Sequence, residues 1–383
     1  MKIMLSVGEA SGDLHGASVA AALKLLAPDA RLFGMGGKHM AAAGVEIVYD
    51  IADLGVIGIV EVVKNLPRLF RLRDMLAAVM DREKPDVLVV IDYPGFNTRL
   101  AKVAKAKGIP VISYISPSAW AWGKGRAKEV AGIVNKVAAI FPFEADVYRE
   151  AGADVVFVGH PLLDIVKPSM TCEEARRFFG ADAAKPLLLL LPGSRKQEIE
   201  NLLPPMLDAA VRIRQQLPDC QFYLPVASTI PQEMLDALAA SRGLPVSFTH
   251  EHTYDLMSIA DAAIAASGTV TLEAALLKLP SVIIYKVNSL TYYLGKLLVK
   301  IPDIGLPNIV AGRKILPELL QGDANPAAIA AAALPLLTEG QARQAVLNDL
   351  ADVAVKLGSG GAVRRVAELI LAVAAGTGEE TGP

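Results

Sequence analysis

Short apolar runs alternate with longer amphipathic segments along most of the chain. The stretches Ser18–Leu26, Leu66–Arg82 and Arg99–Lys107 predict helices. Runs rich in β-branched or aliphatic side chains lie between them and predict buried parallel strands. In the first part of the chain these runs are Ile3–Val7, Val87–Ile91, Val111–Tyr114, Lys136–Phe141 and Val155–Val158. Alternation of this kind is typical of a doubly wound α/β sheet.

The same pattern starts again after a polar connecting segment, residues 164–180. Leu187–Leu191 opens a second set of predicted strands. The later members of this set are Gln221–Pro225, Val246–Thr249, Ala262–Ala265 and Ser281–Tyr285. We therefore predict an α/β protein with two Rossmann-like domains that face one cleft. Their bounds are 1–163 and 164–345, followed by C-terminal helices in 346–375 that pack back toward the first half, and a frayed tail in 376–383.

Composition narrows the class of protein. With 38 basic and 40 acidic residues, the net charge of −2 gives no overall field that would attract nucleic acid. A hydrophobic content of 53% excludes a disordered chain. Cys172 and Cys220 are too few and too far apart for a disulfide framework, which fits a reducing cytoplasm. Because Met1–Gly8 is too short for an export signal and no run reaches about 18 apolar residues, we expect a cytoplasmic location.

The turn after the first predicted strand is a candidate binding loop. It reads Gly-Glu-Ala-Ser-Gly-Asp and leads into a helix, where backbone amides and small residues let a ligand approach closely. Its polar members are Glu9, Ser11 and Asp13. The turn is neither a P-loop nor a GxGxxG motif. An equally good interpretation is a plain strand–helix turn in which Ser11 or Asp13 caps the helix.

Asp92 is the candidate general base, since it directly follows the buried run Val87–Ile91. Ligands of open α/β sheets bind outside the carboxyl ends of the strands, and a partly desolvated carboxylate there suits proton abstraction. Asp92 could instead cap loop amides. Asn97 is the better cap, because a helix is predicted to start at Thr98, and this leaves Asp92 available for chemistry.

Two further residues of the first half are candidates for the same region. Trp120 lies in the loop that follows Val111–Tyr114 and, with Trp122, either packs against a satellite core or forms a wall for a large, partly apolar substrate. His160 lies beside Pro161 and is interpreted as a hinge or cleft residue. His250 and His252 lack further ligand residues at metal-site spacing, so we expect no metal.

The second half carries two motifs suited to phosphate. Gly193 and Ser194 offer amides and a hydroxyl, and Arg195 offers a guanidinium fork that matches phosphate oxygens. The turn Ser267, Gly268, Thr269 feeds a helix whose first amides can hold a phosphate. Glu273 lies one helical turn after Thr269, within reach of ribose hydroxyls. Ser267 or Thr269 as a simple helix cap is compatible with this reading.

A basic, amphipathic helix is predicted from about residue 63. Most such helices dock their apolar face on the core. The excess of basic residues in a nearly neutral chain favours instead contact with an anionic membrane surface. The residues proposed to make this contact are Lys64, Arg68, Leu69, Phe70, Arg71 and Arg73. Asn288–Lys300 is a second, weaker candidate.

Taken together, these motifs resemble the lipid-A-disaccharide synthase family, glycosyltransferases of the two-Rossmann-domain GT-B type. The resemblance covers nearly the whole chain, and the ordered set is far more specific than any single motif. Its members are GEASGD at Gly8, GVIGIVEV at Gly55, IDYPGFN at Ile91, SPSAWAW at Ser116, FPFE at Phe141, GHP at Gly159, LPGSR at Leu191, SGTVTLE at Ser267 and LPNIVAGR at Leu306.

The resemblance implies a reaction and roles for four residues. The family joins UDP-2,3-diacylglucosamine to 2,3-diacylglucosamine 1-phosphate, giving the β(1→6) lipid A disaccharide 1-phosphate and UDP. The catalytic aspartate maps to Asp92, the donor-site arginine to Arg195, and two further donor-site residues to Glu273 and Asn308. No metal or other cofactor is implied. The expected location is the inner face of the cytoplasmic membrane, on anionic lipid, with a homodimer left open.

Three other functions compete with this one. A UDP-N-acetylglucosamine 2-epimerase on the same architecture would act on a water-soluble sugar nucleotide alone. A two-lobed solute-binding protein would need an export signal and would leave Arg195 and the 267–273 turn without a role. An NAD dehydrogenase would need GxGxxG after the first strand, which the 8–16 turn lacks.

Overall fold

The computed structural model describes residues 1–54, 59–117, 119, 124–227, 230–286 and 303–376, with only the backbone given for 53, 59–66 and 124. The chain divides into two compact units. One consists of Met1–Pro161 with the C-terminal segment from Ser359, and the other of Leu162–Gly358. Within the described residues, no helix is both long enough and apolar enough to cross a membrane.

The first unit is built on a parallel sheet of seven strands among its described residues, in the order β3-β2-β1-β4-β5-β6-β7. Because β1 and β4 are neighbours, the strand order reverses between them, and this switch point is where open α/β sheets bind ligands. The elements are β1 (Lys2–Ser6), α1 (Ala10–Leu26), β2 (Arg31–Gly36), α2 (Lys38–Ala42), β3 (Glu46–Asp50), α3 (Ile59–Glu83), β4 (Val87–Ile91), α4 (Pro94–Ala106), β5 (Val111–Tyr114), α5 (Lys124–Ala131), β6 (Lys136–Ala139), α6 (Pro142–Glu150) and β7 (Val155–Phe157).

The second unit repeats the plan with a parallel sheet of six strands in its described part, in the order β10-β9-β8-β11-β12-β13. Here the switch point lies between β8 and β11. The elements are α7 (Leu162–Ile165), α8 (Cys172–Phe179), β8 (Leu187–Leu191), α9 (Lys196–Gln216), β9 (Gln221–Pro225), α10 (Gln232–Ala240), β10 (Ser247–Thr249), α11 (Thr253–Ile259), β11 (Ala262–Ala266), α12 (Thr269–Leu276), β12 (Ser281–Tyr285), α13 (Leu306–Ala311), β13 (Glu318–Leu320), α14 (Pro326–Leu337) and α15 (Gln341–Lys356).

Strand β8, five consecutive leucines, shows why both faces of these sheets are buried. Leu188 and Leu190 join a cluster with residues of α9 and α14. Leu187, Leu189 and Leu191 point to the other face, into a cluster with residues of α11 and α12. Successive side chains of a strand alternate between faces, so a continuous apolar run requires helices on both sides. The run therefore fixes β8 as a central strand.

The C-terminal helices divide between the two units. The sequence grouped them in one segment, 346–375, packed toward the first half. In the structure α15 lies in the second unit and contacts α12 and α13, whereas the last helix, α16 (Ala362–Ala374), packs on α1 in the first. Arg365 fastens this return, since its Nε donates to the carbonyl oxygen of Val158 at 2.8 Å.

Candidate functional site

The carboxyl ends of β1 and β4 are held together by one buried amide. Asn97 Nδ2 donates to the carbonyl oxygens of Ser6, Ile91 and Asp92 at 3.1, 3.2 and 2.7 Å. Ser6 Oγ donates to Asn97 Oδ1 at 2.7 Å. Helix α4 begins at Pro94, so Asn97 lies inside it, and the prediction that Asn97 caps this helix is wrong. The helix starts three residues earlier, at a proline, which the first turn of a helix accepts without loss of a hydrogen bond.

Asp92 lies at this switch point with a half-buried side chain. Both Asp92 and Tyr93 adopt left-handed backbone angles, with φ of 52° and 51°. Such angles are costly for residues other than glycine and concentrate at functional sites. The Tyr93 ring packs over Gly8, where an added Cβ would lie 2.0 Å from its Cδ1 atom. Glycine in the first turn thus lets the end of β4 approach the start of α1.

His15 interacts electrostatically with Asp92, and a second histidine, His160, lies near His15. Burial lowers the pKa of His15, one turn into α1, although the nearby Asp92 charge acts in the opposite direction. His160 is 6% exposed, and its ring packs on Phe141 with centroids 4.8 Å apart. Burial, and secondarily His15, lowers the pKa of His160 to about 3. Both imidazoles are therefore neutral near pH 7. Sequence reasoning missed His15, although its motif was singled out.

The polar residues of the first turn differ in exposure and in hydrogen bonding. Glu9 and Ser11 are exposed at the start of α1, and Glu9 lies close enough to Tyr93 to raise its pKa, after burial as the larger cause. Asp13 is 2% exposed, and its carboxylate accepts from the amides of Gly37, His39 and Met40 at 2.8–3.1 Å. Asp13 thus caps α2.

Neither Ser11 nor Asp13 caps α1, a question that the sequence left open. Glu9 holds the cap position, and its side chain makes no capping hydrogen bond. Asp13 was also predicted to face the acceptor, but both of its carboxylate oxygens are already used by the start of α2. That prediction is therefore corrected to a structural role.

The loop that carries Trp120 is anchored at its start, while Trp120 itself lies outside the described residues. Tyr148 Oη donates to the carbonyl oxygen of Pro117 at 2.8 Å. Behind it, the buried Glu144 accepts from the amides of Ile140 and Phe141. Burial raises the pKa of Glu144 to about 7 despite these hydrogen bonds. Helix α6, which begins within the FPFE motif, therefore anchors the start of this loop through Tyr148, and the sequence analysis did not predict this contact.

In the second unit, the loop after β8 forms a tight turn around a glutamate. Gly193 has φ of 105°, in the left-handed region that favours glycine. The side chain of Glu198 accepts from the amides of Ser194 and Arg195 at 3.1 and 3.2 Å. Arg195 is largely exposed and forms an ion pair with the same glutamate at 2.7 Å. Sequence reasoning identified the arginine and the glycine but not their partner, Glu198.

The turn after β11 lies beside this loop. Gly268 holds the cap position of α12, so neither Ser267 nor Thr269 caps the helix. Ser267 Oγ donates instead to the carbonyl oxygen of Ile304 at 3.2 Å. Both turns line one open pocket of about 560 Å³. The predicted residues that the pocket brings together are Gly193, Ser194, Arg195, Ser267, Gly268 and Thr269.

Glu273 lines an adjoining pocket of about 480 Å³, and Thr253 borders both. Burial raises the pKa of Glu273, and burial together with Glu273 raises the pKa of the nearby Tyr254 to about 12. At the opposite wall, Asp255 accepts from the amides of Ser169 and Met170 at 2.6 Å. The two pockets adjoin at the switch point, and together they are large enough for a nucleotide.

Asn308 does not line either pocket. It is fully buried, and its Nδ2 donates to the carbonyl oxygen of Leu316 and to Glu318 Oε1. Its Oδ1 accepts from the amides of Ile315 and Leu316, both at 2.8 Å. All hydrogen-bonding groups of the side chain are thus used within the protein. The predicted donor contact of Asn308 is corrected to the support of the 304–318 segment.

The basic helix α3 presents a mixed surface. Leu69 is 9% exposed and packs in the core, so the prediction that it contacts lipid is wrong. Phe70 is 41% exposed, and the guanidinium groups of Arg73 and Arg99 lie 5.2 and 5.3 Å from its ring centroid. Arg99, on α4, was not predicted. The Arg68 and Arg71 side chains are exposed, and that of Lys64 lies outside the described residues.

Potential metal ligands are dispersed. Across the described ranges, no group of three or more His, Cys, Asp or Glu side chains is arranged to hold a metal ion. His250 makes a hydrogen bond of 2.7 Å with Gln232, and His252 lies 3.4 Å from the Asp255 carboxylate.

Comparison of this chain with known proteins gives one consistent result. The family model described as lipid-A-disaccharide synthetase matches residues 3–369. The lipid-A-disaccharide synthase of Syntrophus aciditrophicus is 45% identical over 370 residues, which are 96% of this chain and 97% of the relative. The enzyme of Geobacter sulfurreducens is also 45% identical, over 97% of this chain and 96% of the relative.

Solved structures with a similar fold are much more distant in sequence. The UDP-GlcNAc 2-epimerase from Neisseria meningitidis has a TM-score of 0.66 at 13% identity, over 97% of this chain and 100% of that one. MurG from Acinetobacter baumannii has a TM-score of 0.61 at 14% identity, over 97% and 99%. These likenesses establish the GT-B fold, and the sequence matches establish the family. The chain belongs to the lipid-A-disaccharide synthase family of glycosyltransferases.

Proposed function

We propose that the chain transfers the sugar of UDP-2,3-diacylglucosamine to 2,3-diacylglucosamine 1-phosphate, with Asp92 as base and the 193–195 and 267–269 turns as the diphosphate site. The observation that supports this best is the division of chemistry between two switch points. One carries a half-buried carboxylate near His15, which burial keeps neutral, and the other an open, amide-rich pocket with Arg195. An inverting transfer needs one group of each kind.

In this proposal Asp92 acts on the acceptor. Its carboxylate takes the proton of the 6-hydroxyl while that oxygen attacks the anomeric carbon of the donor. The bond between the anomeric carbon and the β-phosphate oxygen breaks, and the electron pair leaves with UDP. Because Asn97 fixes the backbone at Asp92, the base is positioned before the acceptor arrives. Glu9, whose charge acts on Tyr93 next to Asp92, and the exposed Ser11 would bind acceptor hydroxyls.

The donor half of the proposal concerns leaving-group charge. Arg195 and the amides of the two turns would stabilise the negative charge that develops on the diphosphate. Glu273 would accept hydrogen bonds from the ribose hydroxyls, since its pocket adjoins the phosphate pocket at Thr253. No metal is assigned a role, because the guanidinium and the amides supply the positive charge that the step needs.

The lipid chains of both substrates suggest a membrane-facing surface. We place it on the exposed part of α3 and α4, where Phe70 lies between two guanidinium groups. Arg68 and Arg71 extend the positive charge along α3, and each basic residue near an anionic leaflet contributes about 1 kcal/mol to binding. We propose peripheral attachment to the inner face of the cytoplasmic membrane, with the acceptor drawn from the bilayer.

The test is an assay of UDP release from UDP-2,3-diacylglucosamine, with and without the lipid acceptor. We expect release that depends on 2,3-diacylglucosamine 1-phosphate and a disaccharide 1-phosphate product identified by mass spectrometry. UDP-N-acetylglucosamine serves as the comparison substrate. Its conversion to a 2-epimer without any acceptor would instead support the epimerase alternative, and acceptor-independent UDP release would contradict transfer.

A further inference from the structure

The carboxylate of Glu198 occupies the loop to which we assign the donor diphosphate. Its Oε2 atom accepts from the amides of Ser194 and Arg195, and its Oε1 atom pairs with the Arg195 guanidinium. It also lies against Gly193, where an added Cβ would be 2.3 Å from Oε2. One carboxylate thus uses two amides and one cation at the same time.

These partners are the groups that a phosphate would need. Backbone amides at a helix start and an arginine fork are the standard protein ligands of phosphate oxygens. A phosphate on the Ser194 and Arg195 amides would lie where the Glu198 carboxylate now lies, because each N–H points to a single acceptor position. The two anions therefore compete for one set of partners.

We propose that Glu198 is an internal competitor of the donor diphosphate: it holds the 193–195 loop in the unliganded protein, leaves when the diphosphate binds, and returns as UDP departs. The inference rests on the proposed donor site. It assigns to Glu198 control of nucleotide affinity and of product release, beyond the step catalysed at Asp92.

The exchange is energetically accessible because the pair lies at the surface. The side chains of Arg195 and Glu198 are 81% and 32% exposed, so solvent screens their attraction. A diphosphate carries more negative charge than a carboxylate and offers more oxygen acceptors. It should therefore displace Glu198. Breaking the Glu198 contacts lowers the affinity for UDP by a modest amount, and these contacts form again when UDP leaves.

An alternative role for Glu198 predicts the opposite sign. Glu198 is the third residue of α9, and its contacts with the Ser194 and Arg195 amides are those of a capping box. If it only shaped the loop for phosphate, removing its charge would weaken UDP binding or leave it unchanged. If it competes, removing its charge strengthens UDP binding. The direction of the change in affinity separates the two roles.

In the experiment, calorimetry measures the binding of UDP to three proteins: the wild type, Glu198→Gln and Glu200→Gln. Glutamine is accepted at this capping position, so the loop should keep its shape. We expect UDP to bind Glu198→Gln about two- to fivefold more tightly, the range of an exposed ion pair, and to inhibit turnover in the same ratio. Glu200 lies on the same helix, pairs loosely with Lys196 at 3.9 Å, and is the matched control with unchanged affinity.

Equal or weaker UDP binding by Glu198→Gln overturns the inference, as does an equal gain in Glu200→Gln, which would show a general charge effect. Should Glu198→Gln fail to fold, Glu198→Asp keeps the charge but is too short to reach the amides, and it should also gain affinity. Arg195→Ala is measured in parallel. Unchanged UDP affinity in that variant overturns the donor site itself, whereas weakened binding there without a gain in Glu198→Gln overturns only the competitor role.

Discussion

The two switch points have the same strand arrangement but differ in how far their polar groups are buried. After β4, the end of the strand is buried and fixed: Asn97 ties three carbonyls together, and the neighbouring His15 and His160 are held neutral by burial. After β8, the turn is exposed, and its amides are covered by a glutamate on a flexible side chain. A single reacting proton suits the first environment, and a bound polyanion suits the second.

The difference shows where rigidity matters in this fold. A base must be within hydrogen-bond distance of one proton, so its position is fixed by buried hydrogen bonds and strained backbone angles. A diphosphate site must bind and release, so its charges remain near solvent, where each pair is weak. We expect substitutions at the first switch point to affect mainly kcat, and those at the second to affect mainly nucleotide affinity.

Asp92→Asn should have the largest effect. The amide cannot take the proton of the acceptor hydroxyl, so kcat should fall by ~100-fold or more, the range for loss of a general base. UDP affinity should remain within about twofold. Asp86→Asn is the matched control, because Asp86 lies at the other end of the same strand, is exposed, and accepts a hydrogen bond from Lys2 N. Near-normal turnover of a folded Asp92→Asn would remove it as the base.

Arg195→Ala, in contrast to Asp92→Asn, should have its main effect on UDP affinity. Loss of a charge-assisted hydrogen bond to phosphate should weaken UDP binding by ~1.5–3 kcal/mol, or about 10- to 150-fold in Kd. Transfer should also slow, since the guanidinium stabilises the departing charge. Lys196→Ala removes a neighbouring exposed cation and should change UDP affinity far less. Calorimetry that gives equal UDP affinities for Arg195→Ala and the wild type would contradict the donor site.

The central strands and the fold class could be predicted from sequence, and the structure confirms two parallel α/β sheets. Val87–Ile91, Leu187–Leu191 and Ser281–Tyr285 have the predicted bounds because uninterrupted apolar runs mark strands buried on both faces. Strands β2 and β3 were missed. Gly34 and Gly36 interrupt the apolar run of β2, and β3 is a half-exposed edge strand without such a run.

Polar residues of the candidate sites were harder to interpret than strands. Asp13, Asn97 and Asn308 were assigned to ligands or to local caps, yet their side chains are used inside the protein. Two of these sets of partners lie far away in the chain: Ser6 is 91 residues from Asn97, and Gly37 is 24 from Asp13. Local pattern shows that a polar group follows a strand, but the pairing of strands decides whether it faces a ligand.

The low pKa of His160, which lies near His15 in the first unit, predicts how the stability of the protein changes on acidification. In the unfolded chain this histidine gains a proton below about pH 6.5, whereas in the folded protein it does so only near pH 3. The unfolded state binds more protons between these values, so stability falls as pH falls. At pH 5 the loss from this group is about 2 kcal/mol. Glu144, with a folded pKa of about 7, acts in the opposite direction, since its contribution falls as pH rises from about 4.5 to 7.

The measurement is the unfolding free energy in urea at pH 8 and pH 5 for the wild type and His160→Gln. We expect the variant to lose about 2 kcal/mol less than the wild type between these two pH values, whatever its stability at pH 8. His39→Gln is the control, because His39 is exposed in the same unit. An identical pH dependence of the wild type and His160→Gln would show that His160 does not remain neutral in the folded protein.

The smallest expected effect concerns the surface of the first unit that we propose to contact the membrane. Arg71 is exposed on α3, and its Nε donates a long hydrogen bond, of 3.4 Å, to the carbonyl oxygen of Pro67. Arg71→Gln should weaken partition onto anionic vesicles by ~1 kcal/mol, about fivefold, and raise the KM for the lipid acceptor in parallel. UDP affinity should not change, because the proposed donor site belongs to the other unit.

Co-sedimentation with vesicles of increasing anionic lipid content measures the partition of Arg71→Gln. Arg212→Gln is the matched control, since it removes an exposed cation from α9 in the second unit. The difference between the wild type and Arg71→Gln should shrink at high salt, which screens exposed charges beyond about 10 Å at 0.1 M and more closely above it. If both variants partition like the wild type at low salt, α3 is an ordinary core-docking helix, and the acceptor enters from another surface.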